Sequence, residues 1–454
     1  MATPPVEKPV PDERTGLRRV LISSFAGTSI EWYDFFLFGS AAALVFPHVF
    51  FPGSDPATGT LLSFATYAVA FLARPLGGIV FGRMGDVVGR KKALIATLFL
   101  AGGGTFLMGC LPGYDAIGVT APVLLVLLRL VQGLGLGGEW AGAVTLSAEH
   151  AEAGGKRHRR GILTSWTQLG VPAGNLVAVA ALTAASTALP DEAFLSWGWR
   201  LPFLASAALV AAGWWMRVKV EESPLFEAAE PARAPIREVL STHWRQVLLT
   251  VGMRIASDVS YYVFAVFALA YLSGTLGLPR DWGLYAVIVG SVLQLAVIPA
   301  SAAASDRYGR RPVYIAGSLA VAAGALVAWP MIETRSLAGV LAAVSIGLVA
   351  QAVMYGPMAA FITELYSTRL RCSGSSFGYQ IAGIAGGAPA PLIAALLVDR
   401  FHTTTAVSLY VVATALIAAL SAYLAKETRW NRLDQDTGAP SPAPAVAPAT
   451  GEPS

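Results

Sequence analysis

The sequence GRMGDVVGRK at residues 82–91 has a second version, AAASDRYGRR, at residues 302–311. Each lies between two long apolar runs, and Asp306 follows Asp86 by 220 residues. Two further features recur in the same order, at separations of 215 and 213 residues. They are the acid-to-arginine pairs Glu149…Arg160 and Glu364…Arg371, and the glycine pairs Gly161…Gly170 and Gly374…Gly383. Three recurrences at nearly one separation indicate a duplicated chain with two related halves.

Long apolar runs make up most of the chain outside these motifs. Of its 454 residues, 55% are hydrophobic and 13% are charged, about half the charged share of a soluble domain. A helix of roughly 20 apolar residues crosses about 30 Å of hydrocarbon, and lipid offers the backbone no hydrogen-bond partners. The sequence therefore predicts an all-α polytopic membrane protein with twelve transmembrane helices. The predicted spans are residues 17–47, 60–82, 93–112, 119–148, 161–187, 199–217, 245–275, 282–303, 313–332, 337–365, 375–398 and 404–425.

The basic residues predict the orientation of these spans. Twenty-five of the 32 lysines and arginines lie in the terminal segments and alternate loops on one side of the membrane, or at the span ends that adjoin them. Four lie in the opposite loops or at the adjoining span ends, and three lie in the interior of spans. The positive-inside rule therefore predicts a multi-pass inner-membrane protein with both termini in the cytoplasm. Because this placement accounts for the net charge of +4, nucleic-acid binding is not expected.

The charge and apolar patterns also predict the domain organisation. Cys110 and Cys372 fall in an apolar run and a charged loop, so no disulfide is expected, and the polar first residues show no signal-peptide core. The predicted units are a cytoplasmic N-terminal segment (1–16), a six-helix half (17–217), a central cytoplasmic loop (218–244), a second six-helix half (245–425) and a disordered, Pro/Ala-rich cytoplasmic tail (426–454).

Several motifs together resemble one transporter family. The pattern G-x3-D-x2-G-R-K/R, with alanine first in the second copy, is similar to the signature of the major facilitator superfamily. Other stretches resemble its metabolite:proton symporter family. They are IEWYDFFLF (30–38), RPLGG (74–78), RLVQGLGLGGEW (129–140), SWGWRLPF (196–203), ESPLF (222–226) and Tyr355-Gly-Pro with Glu364 and Arg371.

This resemblance carries expectations about fold and function. The family includes permeases for shikimate, α-ketoglutarate, citrate and proline or betaine, and the first four spans are most similar to the shikimate permeases. The resemblance implies the major facilitator fold, with two pseudo-symmetric six-helix halves. It also implies proton-coupled uptake of a small metabolite.

Glu31 and Asp34 lie three residues apart in the middle of the first predicted span, on one helix face. Charged side chains are costly in the membrane, so ionisable residues there are candidates for function. Two neighbouring buried carboxylates repel each other, and at least one is expected to hold a proton. Both are candidate proton-coupling sites, with Glu139 in the fourth span as a third. The alternative for each is a hydrogen bond to a neighbouring helix without titration.

Arg129 and Gln132 share a face of the fourth span, where a buried guanidinium can bind a carboxylate through two parallel hydrogen bonds. An ion pair with a span-one acid or with Glu139 is the alternative. Arg254 and Asp258, four residues apart in the seventh span, either neutralise each other or contact substrate. The resemblance leads us to expect asparagine in place of Asp258. Tyr261, Tyr262 and Gln380 complete the candidate substrate residues.

The duplicated loop motifs are candidate gates at the cytoplasmic helix ends. Their charged residues can join the two halves in the outward-facing state and must separate for inward opening, while their glycines permit tight turns. A role in topology alone explains the basic residues but not Asp86 and Asp306. The candidate gate residues are Gly82, Asp86, Gly89, Arg90, Lys91, Glu149, Asp306, Gly309, Arg310, Glu364 and Arg371.

These features predict a monomeric, proton-coupled symporter that imports a small organic acid. Uptake of proline or glycine betaine, drug efflux, and a non-transporting nutrient receptor are the alternative functions. The sequence contains no Walker A motif, metal-ligand cluster or nucleophile elbow, so no enzyme activity, cofactor or metal is expected.

The predicted orientation can be checked by cysteine labelling in a chain whose Cys110 and Cys372 are replaced. Single cysteines in loops 83–92 and 367–374 are expected to resist an impermeant thiol reagent in intact cells, because both loops face the cytoplasm. A cysteine within 190–196 is expected to be labelled. Labelling of both basic loops from outside would contradict the orientation.

Overall fold

The computed structural model describes residues 13–87, 90–137, 139–153, 157–218, 235–366 and 370–431, and all regular secondary structure in these ranges is helical. Twelve long helical segments follow one another, as predicted. The first six are α1 (Glu13–Leu44), α2 (Pro56–Val87), α3 (Arg90–Gly109), α4 (Thr120–Gly135 and Glu139–Ala153), α5 (Arg160–Ala188) and α6 (Asp191–Gly198 and Arg200–Val218). The second six are α7 (Trp244–Thr275), α8 (Arg280–Tyr308), α9 (Arg310–Glu333), α10 (Leu337–Glu364), α11 (Arg371–Ala382 and Ala390–Phe401) and α12 (Thr405–Leu424).

Length and composition identify most of these helices as membrane spans. Among the described residues, eight helices are long and apolar enough to cross a membrane unaided, and α6 is a ninth if its two parts, bent by 43°, form one span. The other three are α1, α3 and α4. Helix α1 carries Glu31 and Asp34 in its middle, and α4 is interrupted between Gly135 and Glu139. The helices that fail this test therefore all lie in the first half, where α3 and α4 contribute the shorter apolar stretches Ile95–Gly109 and Thr120–Gly135.

The two halves meet along a central interface. Helix α5 packs along α1 of its own half and along α8 of the other half, and α2 contacts α11. Helix α7 lies deepest, with 94% of its apolar window buried, compared with 44% for α8. Wide π-helical turns interrupt α7 at Val263–Phe267 and α11 at Gly383–Gly387, and such turns occur frequently at functional sites.

Glycines bring α2 and α4 into backbone contact. A Cβ atom added at Gly77 would overlap the backbone of Leu134, and one added at Gly133 would overlap the backbone of Ala70. Gly137 lies in the same way against the carbonyl of Arg74. Small residues at helix crossings permit this close approach in membranes. The contact fixes the position of Arg74 on α2 relative to the polar residues of α4.

Gly133→Ala is expected to destabilise the protein, because the added methyl group must push α2 and α4 apart. Overpacking of this kind costs roughly 1–3 kcal/mol. Gly142→Ala is the matched control, since a Cβ atom there would meet nothing within 4 Å. Thermal unfolding of the purified variants in one detergent measures the difference. Equal unfolding temperatures would show that α2 and α4 are not in backbone contact.

Candidate substrate and gating site

A small cleft lies between the two halves near the middle of the bundle. Its volume is about 10 Å³, room for roughly one water molecule, so the halves pack too tightly there to hold a metabolite in this conformation. Its lining residues are Trp32, Phe36 and Val171 from the first half, and Ser257, Asp258, Tyr261, Tyr262, Gln351, Tyr355 and Tyr379 from the second. The predicted substrate residues Asp258, Tyr261 and Tyr262 are therefore brought to one place.

An aromatic layer joins the halves at the level of the cleft. The ring of Phe36 on α1 lies 5.0 Å from the ring of Tyr261 on α7. The ring of Tyr262 lies 5.7 Å from Phe71 and 5.8 Å from Tyr67, both on α2. These rings separate the cleft from the polar residues inside the first half.

Asp34, Arg129 and Gln132 form a buried polar cluster inside the first half. Gln132 accepts a hydrogen bond from Arg129 and donates one to the Thr105 hydroxyl over 2.7 Å. The Asp34 carboxyl group hydrogen bonds with Thr105 and interacts electrostatically with Arg129. The Arg129 guanidinium lies 4.0 Å from the centre of the Phe38 ring. The structure thus brings these three predicted residues together, but behind the aromatic layer and outside the cleft.

The other predicted proton sites have different positions. Glu31 is half-buried and has interaction partners, but it does not line the cleft. The side chain of Glu139 lies outside the described part of the chain.

Arg254 and Asp258 form an ion pair beside the cleft. The Arg254 Nε atom lies 3.0 Å from Asp258 Oδ2, and its Nη1 atom donates to the Tyr379 carbonyl over 2.7 Å. The same guanidinium lies 3.0 Å from the centre of the Tyr379 ring. The geometry matches the self-neutralising alternative for this pair.

A stack of aromatic rings closes one side of the cleft. Tyr379 of α11 stacks on Trp140 of α4, with ring centres 3.7 Å apart and planes inclined by 12°. Gln380 donates to the Gly137 carbonyl over 2.7 Å, and Gln168 donates to the Tyr355 carbonyl over 3.2 Å. Each of these contacts crosses between the halves. Gln380 thus joins α11 to α4, and its role in substrate binding stays a prediction.

Arg74 was not among the predicted site residues. It is 3% exposed and lies over the rings of Trp32, Phe35 and Phe71, with its Cζ atom 4.4 Å from the centre of Phe35. The sequence contained a signal for it, since Arg74 is one of the three basic residues inside predicted spans. It is also the first residue of RPLGG (74–78), one of the stretches that resemble the family.

The second loop motif forms a buried gate, which we call the Glu364 gate, between the halves. Asp306 accepts hydrogen bonds from the amides of Gly161 over 2.8 Å and Ile162 over 2.9 Å. A carboxylate from the second half therefore caps the N-terminus of α5 in the first half, where the helix dipole favours negative charge. Arg310 binds Asp306 over 2.7 Å.

Glu364 is the centre of this gate. Its Oε1 atom lies 3.0 Å from Arg160 of the first half and 3.2 Å from Arg310 of the second, and its side chain is 1% exposed. Asp306, Arg310 and Glu364, all predicted, are thus brought together. Arg160 was missed, although it belongs to the repeated acid-to-arginine feature.

Residues 427–431 pass over the Glu364 gate, and we call this segment the strap. Glu427 accepts hydrogen bonds from the amides of Arg310 and Arg311, the first residues of α9. Thr428 donates to Glu364 over 2.6 Å, and Arg160 donates to the carbonyls of residues 429 and 431. The predicted start of the disordered tail, residue 426, is therefore too early, because Glu364, Arg160 and the first amides of α9 bind residues 427–431. Residues 432–454 lie outside the described chain.

Glycine is required at the start of this gate. Gly309 adopts a φ of 107°, a backbone conformation that side chains disfavour. A Cβ atom there would also lie 2.7 Å from the Glu427 carboxylate. This predicted gate residue thus allows both the turn into α9 and the approach of the strap.

The first motif copy lies almost entirely outside the described side chains, and its gate role stays a prediction. This applies to Gly82, Asp86, Gly89, Arg90, Lys91 and Glu149. Arg371, the remaining predicted gate residue, is buried and has partners.

The opposite end of the bundle is held by a weaker contact. Arg280 of α8 lies 3.2 Å from Asp191 of α6, whose side chain is 84% exposed. Exposed ion pairs contribute little, because water screens them. The Glu364 gate is therefore the stronger closure among the described contacts between the helix ends.

Comparisons with known proteins agree with this architecture. The model of the Major Facilitator Superfamily matches residues 24–377 and 255–449. The inner membrane metabolite transport protein YhjE of Escherichia coli K12 is 39% identical to this chain, over 91% of this chain and 95% of its own. The shikimate transporter of the same organism is also 39% identical, over 92% of this chain and 98% of its own. The proline/betaine transporter of Salmonella typhimurium is 32% identical over 91% of this chain and 84% of its own. The proton:xylose symporter XylE has the same fold, with a TM-score of 0.71 at 17% identity, over 92% of this chain and 97% of its own.

The chain belongs to the Major Facilitator Superfamily. It is a multi-pass membrane transporter and not an enzyme, and its relatives match the family predicted from the motifs.

Glu364→Gln is expected to lower both the unfolding temperature and the transport rate, because Arg160 and Arg310 lose the carboxylate that neutralises them. Removing one partner of a buried ion pair costs about 3–5 kcal/mol. Asp191→Asn, in the exposed pair at the other end, is the control and should change the unfolding temperature little. Unfolding of purified protein and uptake into proteoliposomes measure the two effects. A Glu364→Gln protein as stable and active as the control would exclude the gate.

Proposed function

We propose that this protein is a proton symporter that imports a small organic acid across the inner membrane, with both termini in the cytoplasm. The observation that carries this proposal is the closed cleft between the halves, which is bordered by two arginines, Arg74 and Arg254, and lined by one acid, Asp258. An excess of positive charge beside a desolvated cleft favours an anionic ligand. The shikimate transporter among its relatives is consistent with such a substrate.

Asp34 is the proposed proton site. It is 1% exposed, its Oδ1 atom has no hydrogen-bond partner in the described structure, and Arg129 is its nearest strong cation. A charged Asp34 attracts the Arg129 guanidinium. When Asp34 is protonated, this attraction is lost and Arg129 keeps its hydrogen bond to Gln132. Proton binding therefore changes which side chains hold α1 and α4 together. Since Phe35 and Phe36 follow Asp34 on α1, this change reaches the wall of the cleft.

Alternating access follows from the two closures. Opening the cleft toward the basic end requires the Glu364 gate and the Trp140–Tyr379 stack to separate. Opening it toward the other end breaks the exposed Arg280–Asp191 pair, weaker polar contacts between the halves such as Asn175 with Ser291 at 3.3 Å, and ring contacts such as Phe36 with Tyr261. Among the described contacts between the halves, the buried ion pair lies at the basic end, which suits an importer that opens to the outside when it is empty.

Uptake of a zwitterionic osmolyte is the second candidate function. The cleft walls contain Trp32, Phe36, Tyr261 and Tyr262, and aromatic faces bind quaternary ammonium groups. The proline/betaine transporter among the relatives has such substrates in its name. Against this, Asp258, the acid among the described lining residues, already pairs with Arg254. Uptake of shikimate, α-ketoglutarate, proline and glycine betaine into proteoliposomes with a pH gradient separates the candidates.

Asp34→Asn is expected to keep substrate exchange but to lose accumulation driven by a pH gradient. The amide imitates a permanently protonated carboxyl group, so the loaded carrier still crosses, but it cannot return empty and deprotonated. Counterflow with labelled substrate measures exchange, and uptake under an inward proton gradient measures accumulation. Asp399→Asn, at the exposed end of α11, is the control and should retain both.

Arg129→Lys tests the partner of Asp34. Lysine keeps the charge but loses the planar fork of donors, so the variant should shift the external pH at which accumulation is half-maximal. Should Asp34→Asn and Glu31→Gln each still concentrate substrate, the proton site is elsewhere, with Glu139 and Asp258 as the next candidates.

A further inference from the structure

Arg74 is a deeply buried cation, and two of its three nitrogen atoms have no polar partner among the described residues. Its Nε and Nη2 atoms have no hydrogen-bond partner in the described structure, and it forms no ion pair there. It contacts three aromatic rings at 4.4–5.5 Å from its Cζ atom. Cation–π contacts offset part of the cost of burying a charge, but they leave the guanidinium N–H groups unpaired, which is expensive away from water.

The position of Arg74 relates it to the cleft and not to the interior of the first half. Its contact Trp32 lines the cleft, and Arg74 lies within electrostatic range of three further lining residues, Asp258, Tyr262 and Tyr379. Its backbone is fixed, because its carbonyl packs against Gly137 of α4. A small opening between α2 and α7 would expose the free donors to a ligand in the cleft.

The other two intramembrane arginines are less available. Arg254 uses Nε on Asp258 and Nη1 on the Tyr379 carbonyl, which leaves Nη2 as its one nitrogen without a partner in the described structure. Arg129 donates to Gln132 and, like Arg74, has no partner there for Nε and Nη2, but it lies behind the rings of Phe35 and Phe38 and away from the cleft. Arg74 therefore has the free pair of donors beside the cleft.

The charges around the cleft select among anions. Asp258 is the charged residue that lines it, and Arg254 balances that charge. Arg74 leaves one positive charge to be neutralised. A monocarboxylate completes this balance, a dicarboxylate or tricarboxylate brings excess negative charge, and a zwitterion leaves its cation without a free acid among the lining residues.

We infer that Arg74 is the anchor for the carboxylate of a substrate with one net negative charge, whose body lies between Trp32, Phe36 and Tyr262. The inference deepens the proposed uptake function and rests on it. Ser257 and Gln351, hydrogen bonded to each other over 2.8 Å in the cleft wall, face the part of the substrate that bears hydroxyl or carbonyl groups.

Ligand-induced thermal stabilisation of the purified transporter tests this assignment without transport. The probes are shikimate as a monocarboxylate, α-ketoglutarate as a dicarboxylate and glycine betaine as a zwitterion. A ligand that binds the native state raises the unfolding temperature in a saturable way. Shikimate is expected to saturate the wild-type protein at a concentration at least tenfold lower than either other probe.

Arg74→Gln should raise the half-saturating shikimate concentration at least tenfold, because a bidentate charged hydrogen bond is lost. Without ligand its unfolding temperature should equal or exceed that of the wild type, since an unpaired buried charge has been removed. Arg74→Lys should bind shikimate with intermediate affinity. If Arg74→Gln does not fold, the shikimate affinity of Arg74→Lys tests the assignment in its place. Arg400→Gln, at the exposed end of α11, is the control and should bind as the wild type does.

Unchanged shikimate binding by Arg74→Gln or, where that variant does not fold, by Arg74→Lys would overturn the assignment. So would the absence of any shikimate effect on the wild type, and so would tighter binding of α-ketoglutarate. Proton-driven uptake by the wild type is measured separately. If shikimate binds through Arg74 but no proton gradient drives its uptake, the proposed function fails while the binding site stands.

Discussion

The cost of placing charge in hydrocarbon is the constraint on which this structure depends. Lipid-facing surfaces must be apolar, so every ionisable side chain within the spans is directed inward and must find a partner, a ring or a ligand there. The chain meets this requirement in three layers. Asp34 and Arg129 share a polar cluster inside the first half, Arg254 and Asp258 pair at the interface, and Glu364 neutralises two arginines at the basic helix ends. Arg74 contacts aromatic rings but forms no ion pair among the described residues, and it lies beside the cleft.

The separation of these layers suggests how one fold can bind a proton at one place and a substrate at another. The proposed proton cluster and the cleft are divided by a wall of aromatic rings, yet both involve adjacent residues of α1. A change of partner at Asp34 need only rotate or shift α1 slightly to move Phe35 and Phe36 against Tyr261 and Tyr262. Packed interiors transmit such shifts because they are dense and poorly compressible.

The sequence predicted the architecture more fully than the site. Apolar run length, loop charge and the repeated motif sufficed for twelve helices in two halves and for the acids of the second gate copy. They could not show which way each polar side chain points. In a span surrounded by lipid and apolar neighbours, the lipid-facing and the buried sides of the helix are both apolar, so the spacing of apolar residues does not distinguish them. Nothing in the pattern therefore placed Asp34 behind the rings or Arg74 beside the cleft. Those positions depend on where α2, α4 and α7 meet, which glycines such as Gly133 determine through long-range packing.

The strap has a practical consequence for work with this protein. Its five residues lie shortly after the last span, in a region where membrane proteins are commonly shortened or joined to purification tags and fluorescent reporters. Yet the strap supplies the carboxylate that caps α9 and the carbonyls that receive Arg160. A chain cut at residue 425 would retain all twelve helices but leave those donors facing water. Fusions should therefore begin after residue 431, with a linker long enough to leave the basic end of the bundle uncovered.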